Sequence, residues 1–169
     1  MKIFLTGFMG SGKTTVGKRM ADVIGFDFVD TDLLIEQGQG MSVSAIFAAL
    51  GEDAFRKMEH DVLQSLLQRD FLVVSTGGGM PCFFNNMDLM LAHGKVVYLQ
   101  TSVVELARRL IYSHTERPLV NGKSLEELQK YIANKLAMRA PFYQRASITV
   151  STEPFSMERL LQSLQLMKS

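Results

Sequence analysis

The chain opens on an apolar stretch, Ile3-Phe4-Leu5, followed almost at once by Gly7-Phe8-Met9-Gly10-Ser11-Gly12-Lys13-Thr14. That octet fits G-x-x-x-x-G-K-[ST] and constrains the fold more than any other stretch. A short strand must end in a tight turn there, and glycine accepts the backbone angles of such a turn. With no side chains at Gly7, Gly10 and Gly12, backbone N–H groups can wrap a phosphate chain. The helix that starts near Lys13 adds its positive dipole end. The spacing therefore predicts a phosphate cradle. Lys13 reaches the β- and γ-phosphates as a point charge, and the Thr14 hydroxyl holds Mg²⁺.

The remaining composition sets broad bounds. With 169 residues, 47% of them hydrophobic, the chain suits one domain, residues 1–169, with a sizeable core. A net charge of +1 points to no nucleic-acid partner and no membrane surface. The one cysteine, Cys82, excludes an internal disulfide, fits a cytoplasmic setting, and reads as a small apolar residue. No window has the length and apolarity of a membrane span, and a monomer is the default expectation.

Along the chain, strand and helix patterns alternate. Residues 2–6 read as a buried strand. Residues 13–24 read as a helix with Val16, Met20, Val23 and Ile24 on one face and Gly25 as its stop. A second strand at 26–29 runs into Asp30-Thr31-Asp32 and a helical stretch at 33–37. Residues 42–50 form a short amphipathic helix broken by Gly51, and 52–67 a longer one with Arg56 near its start. Strands at 71–74, 96–99 and 148–150 follow, with helices at 83–92, 103–111, 124–138 and 156–167; Ser124 and Glu127 match a capping box. Residues 112–123 lack periodicity and read as a lid-like loop that contains Arg117-Pro118-Leu119. The alternation predicts an α/β fold: a five-stranded parallel sheet with helices on both faces, a P-loop NTPase core with a lid.

Four features outside the P-loop suggest chemistry. Asp30 and Asp32 close a strand where α/β folds bind ligands, so they suit Mg²⁺ or a substrate proton; they equally suit capping the next helix. Arg56 in a first helical turn opposes the dipole, which suggests an anionic partner or else a solvated side chain. Gly77-Gly78-Gly79 at a strand's carboxyl end allows a ligand close approach, or simply makes a turn. Arg117 is placed to reach a phosphate site.

Taken in order, the motifs resemble the shikimate kinases. They are Gly-Phe-Met-Gly-Ser-Gly-Lys-Thr-Thr (7–15), Phe-Val-Asp-Thr-Asp (28–32), Ile46-Phe47, Gly51-Glu52, Phe55-Arg56 with Glu59, the triple glycine, Arg117-Pro118-Leu119 and Arg-Ala-Pro-Phe-Tyr (139–143). A P-loop alone marks many unrelated NTPases, whereas this combination is far more specific. The resemblance implies transfer of the γ-phosphoryl of ATP to the 3-hydroxyl of shikimate, a ring with three hydroxyls and one carboxylate, on the route to chorismate and aromatic amino acids. It implies that Gly10, Ser11, Gly12, Lys13, Thr14, Thr15, Arg109 and Arg117 bind ATP. Asp32 orients or deprotonates the hydroxyl, while Lys13 and Arg117 stabilise the transferring group. Arg56 and Arg139 hold the carboxylate, Gly78 and Gly79 lend backbone contacts, and Phe47 and Phe55 line the pocket, within substrate-binding helices at about residues 32–60. Thr14 binds Mg²⁺ directly and Asp30 through water.

Two places depart from the family pattern. An arginine on adenine is implied, and both Arg108 and Arg109 are near, with Leu110 in one plausible position; Arg109 is the residue assigned. Thr152-Glu153-Pro154 resembles an adenine-flanking loop only loosely. A gluconate or nucleoside monophosphate kinase shares the core but not Phe-Arg-x-x-Glu with the triple glycine. A GTPase needs Asn-Lys-x-Asp, which Asn121-Gly122-Lys123 does not supply.

Overall fold

β1, Lys2–Thr6, is buried along its whole length because it lies at the middle of the sheet with a strand on each side. In the computed structural model, which describes residues 1–113 and 122–166, the chain continues through α1 (Lys13–Ile24), β2 (Asp27–Asp30), α2 (Thr31–Gln39) and α3 (Val43–Leu66). Then come β3 (Leu72–Ser75), a short 3₁₀ turn (Met80–Cys82), α4 (Asn86–His93), β4 (Lys95–Gln100), α5 (Val103–Ile111), α6 (Leu125–Tyr143), β5 (Ile148–Ser151) and α7 (Met157–Ser163). The strand order is β2-β3-β1-β4-β5, with every neighbouring pair parallel.

Alternation along the strands fills both faces, as expected. Ile3 and Leu5 of β1, Val73 of β3 and Val97 and Leu99 of β4 pack with Met20 of α1 and Leu160 and Leu161 of α7. Phe4, Leu72, Val74 and Val96 turn the other way, onto Leu63 and Leu66 of α3 and Met87 and Met90 of α4. Gly17 lets α1 lie close: a β-carbon there would sit 2.5 Å from the Phe28 ring of β2.

The sheet order places β1 between the two directions in which the chain winds. The crevice at the carboxyl ends of β1 and β3 is therefore the position where such folds bind ligands. Thr76 closes its floor, its N–H and hydroxyl both donating to the Leu5 carbonyl at 3.1 and 3.0 Å.

Several boundaries differ from the sequence expectation. β2 starts at Asp27 because its register follows Leu72 of β3, and Phe26 leaves the sheet to meet Phe71 edge-on. α3 is one run bent at Gly51 (φ 83°, ψ 172°), which is the predicted break. The helix expected from residue 83 begins at Asn86, and α6 continues through Pro141 to Tyr143. The capping box at Ser124 and Glu127 is present. The lid expectation at residues 112–123, with Arg117, Pro118 and Leu119, falls largely on 114–121, outside the described residues. Among the described residues, no single helix is long and apolar enough to cross a membrane.

Candidate active site

The loop from Gly7 to Gly12 turns as its glycines allow, with φ of 147°, 83° and 93° at Gly7, Gly10 and Gly12, and delivers the chain into α1. Lys13 is nearly buried, and its ammonium donates to the carbonyls of Gly7 and Phe8 at 2.8 and 3.0 Å. The lysine thus lies curled along its own loop, in the concavity the phosphates would fill. Of the two candidate arginines, Arg108 points away, paired with Glu105 on an exposed face. Arg109 also pairs with Glu105 but reaches the loop, donating to the Gly10 carbonyl at 3.3 Å.

Asp30 and Asp32 divide the two roles that sequence left open. Asp30 does cap α2: its Oδ1 accepts from the N–H groups of Asp32 and Leu33 at 3.1 and 3.4 Å. Its other oxygen, Oδ2, accepts the Thr14 hydroxyl at 2.8 Å. Thr14 and Asp30 are therefore adjacent hard oxygen donors beside the phosphate cradle. This pair suits Mg²⁺, which takes one or two protein oxygens and completes its shell with phosphate and water. Among the described residues, no group of three or more His, Cys, Asp or Glu could hold a metal ion on its own.

Asp32 lies in the first turn of α2. Its Oδ1 is buried without a hydrogen-bond partner in the protein, as is Oε1 of Glu59 on α3. Burial, reinforced by the charge of Asp30 and opposed by Lys13 and Arg56, pushes Asp32 up to about 6. Burial likewise lifts Glu59 to about 7, against the pull of Arg56. The two orphaned oxygens converge over Gly77: a β-carbon there would collide with Glu59 Oε1 and lie 2.6 Å from Asp32 Oδ1. Buried acceptors of this kind are satisfied by hydrogen-bond donors from water or from a bound ligand. Ser11 Oγ, in the P-loop, is the third such atom among the described residues.

Arg56 is neither solvated nor unpaired. It is 8% exposed and bonds to Glu59 at 2.6 Å and Glu52 at 2.9 Å, residues at i+3 and i−4 on its own helix. These bonds use Nε–H and one N–H on each terminal nitrogen, three of its five donors. Its guanidinium lies on Gly79, where a β-carbon would meet Nη1 at 2.5 Å. Arg139, from α6, lies 3.2 Å from the same point on Gly78 and packs over the Phe8 ring at 5.3 Å. The triple glycine thus meets a carboxylate pair, a guanidinium and a second guanidinium in succession. Its middle residue also abuts the P-loop, 3.4 Å from the Gly7 carbonyl and 3.6 Å from the Met9 nitrogen by the same measure.

Phe47 and Phe55 pack on each other at 4.7 Å below Arg56; Phe55 is buried with Ile35 and Ile46, so it is core as much as lining. Cys82 is half-buried and its thiol is pushed up to about 11 by burial, which matches the apolar reading. Arg117 lies outside the described residues.

The sequence alone assigns no individual role to Glu52, Glu59 or Tyr143. The i−4 and i+3 spacing about Arg56 was the available signal for Glu52 and for Glu59. For Tyr143 it was the Arg-Ala-Pro-Phe-Tyr run, which does not reveal that the buried hydroxyl donates to the Gly78 carbonyl at 2.5 Å across 65 residues.

A family model described as shikimate kinase matches residues 9–167. The chain is 49% identical over 152 residues to a shikimate kinase of Parabacteroides distasonis, covering 90% of this chain and 88% of that one. The crystal structure of shikimate kinase from Bacteroides thetaiotaomicron superposes with a TM-score of 0.95 at 37% identity, covering 98% of this chain and 99% of that one. Shikimate kinase from Acinetobacter baumannii, solved in complex with shikimate, gives 0.85 at 36% identity, covering 97% and 90%.

Proposed function

The chain belongs to the shikimate kinase family, and we propose that it moves the γ-phosphoryl group of ATP onto the 3-hydroxyl of shikimate with the residues of this crevice. The observation that carries this reading is the contact of Gly78 with both Arg139 and the P-loop, which sets an acid-binding cleft directly against a phosphate cradle.

In that cleft the acceptor carboxylate takes the two remaining N–H donors of Arg56 and the guanidinium of Arg139, whose planar forks suit it. Ring hydroxyls donate to Asp32 Oδ1 and Glu59 Oε1. Asp32, ionised above pH about 6, accepts the proton of the attacking hydroxyl. Backbone N–H groups at Gly78 and Gly79 complete the fit. On the donor side, Gly10, Ser11, Gly12, Thr14 and Thr15 wrap the phosphates. Lys13 leaves its carbonyl partners to follow the γ-phosphoryl charge, Arg117 adds a second cation from the lid, and Arg109 flanks the base. Mg²⁺, held by Thr14 and, through water, by Asp30, would neutralise charge on the phosphates.

Kinetics of two variants test the assignment. Asp32→Asn is expected to abolish transfer while ATP still binds. Arg56→Ala is expected to raise the acceptor KM by about 10- to 100-fold, the loss of a charge-assisted bond of roughly 1.5–3 kcal/mol. Normal turnover in the first variant, or an unchanged KM in the second, would overturn the role concerned.

A further inference from the structure

We propose that Phe83 is a positioning residue that determines affinity for the acceptor's carboxylate, by holding the Arg56 guanidinium in its binding plane. The inference rests on Arg56 as a carboxylate-binding residue of a shikimate kinase.

The geometry sets Phe83 apart from the other rings near Arg56. Its centroid lies 4.3 Å from the guanidinium carbon, against 5.5 Å for Phe55 and 5.7 Å for Phe47. Phe47 and Phe55 ride on α3 with Arg56 itself, so they cannot fix it relative to the rest of the cleft. Phe83 comes from the turn that follows the triple glycine, only four residues beyond the Gly79 on which the same guanidinium lies. A ring that lies under the guanidinium carbon is no hydrogen-bond acceptor of the ordinary kind, so it holds the cation while competing little for the N–H groups a carboxylate needs.

The backbone around Phe83 is shaped to deliver this contact. Phe83 is extended, and Phe84 next to it takes φ +50°, a left-handed conformation that a phenylalanine adopts only against strain. The corner splays the two rings, so that Phe83 meets Arg56 and the exposed Phe84 lies on His60 at 4.9 Å. Arg56 and His60 are one turn apart on the same face of α3. Asn86, fully buried, locks the corner from behind. Its amide donates to the Met80 carbonyl at 2.9 Å, and its Oδ1 lies 2.6 Å from His60 Nδ1.

The test is a steady-state series. Phe83→Leu, apolar and of similar bulk, is expected to raise the shikimate KM about tenfold, with kcat and the ATP KM held within about twofold. Phe83→Tyr, which keeps the ring, is expected to restore the wild-type KM. In an Arg56→Ala background, Phe83→Leu is expected to add less than about twofold. An unchanged KM in Phe83→Leu, equal damage in Phe83→Tyr, or an undiminished effect without Arg56 would overturn the proposal. Should Phe83→Leu fail to fold, Phe83→Met is read the same way. Wild-type turnover of shikimate tests the functional reading separately; the ratios among variants test Phe83.

Discussion

In its proposed role, Asp32 carries two demands that pull against each other. To accept a proton it must be ionised in a dry cleft, and burial opposes that. Its ordinary value of 3.8, which holds in the unfolded chain, is lifted to about 6 in the fold. The folded protein therefore binds the Asp32 proton more tightly than the unfolded chain does. The stability this confers is complete below pH about 4 and is lost as pH rises through about 6, so at pH 8 the ionised carboxylate opposes folding. In EDTA, Asp32→Asn is expected to stabilise the protein at pH 8 by about 2 kcal/mol and to change little at pH 4, measured by urea unfolding. A difference independent of pH would contradict burial of the carboxylate as the cause. Asp32 and Arg56 were legible in the sequence as residues suited to a ligand. Asp30 as both cap and Thr14 partner was not, because one carboxylate satisfied both readings and only the folded geometry divides its two oxygens. The burial of Arg56 was hidden for a related reason: its charge is met inside the helix by Glu52 and Glu59.

At the scale of elements, the site is a strand end, a helix pair and a glycine run pressed together. The glycines fall into two kinds. Gly79 makes room for a guanidinium, and Gly17 makes room for packing of α1 on Phe28. Gly79→Ala is expected to displace Arg56 and raise the acceptor KM about tenfold or more. Gly17→Ala is expected to cost about 1–3 kcal/mol in stability and leave the KM near wild type. Paired thermal melts and kinetics separate the two, and exchanged phenotypes would contradict the assignment. Element types were read from period and stop signals, including the bend at Gly51 and the cap at Ser124. The start of α4 was not. Apolar residues continue at helical spacing back to Phe83, yet Asn86 spends its side chain on Met80 and His60 and begins the helix there.

For the whole molecule, the sheet order brings segments far apart in sequence to one crevice: the P-loop after β1, Asp32 on α2, Arg56 on α3, the glycines after β3 and Arg139 on α6. Motif order made the set recognisable, but adjacency of Gly78 to the P-loop and of Tyr143 to Gly78 follows only from the packed sheet. The central claim is that this crevice joins an acid acceptor to ATP. The most direct measurement is ADP release from Mg-ATP with shikimate, with gluconate, with a nucleoside monophosphate and with no acceptor. Release that depends on shikimate and stays at background in the other three is the predicted result. Release with gluconate or the nucleotide but not with shikimate would contradict the account, leaving the phosphate cradle and removing the roles given to Arg56, Arg139 and the triple glycine.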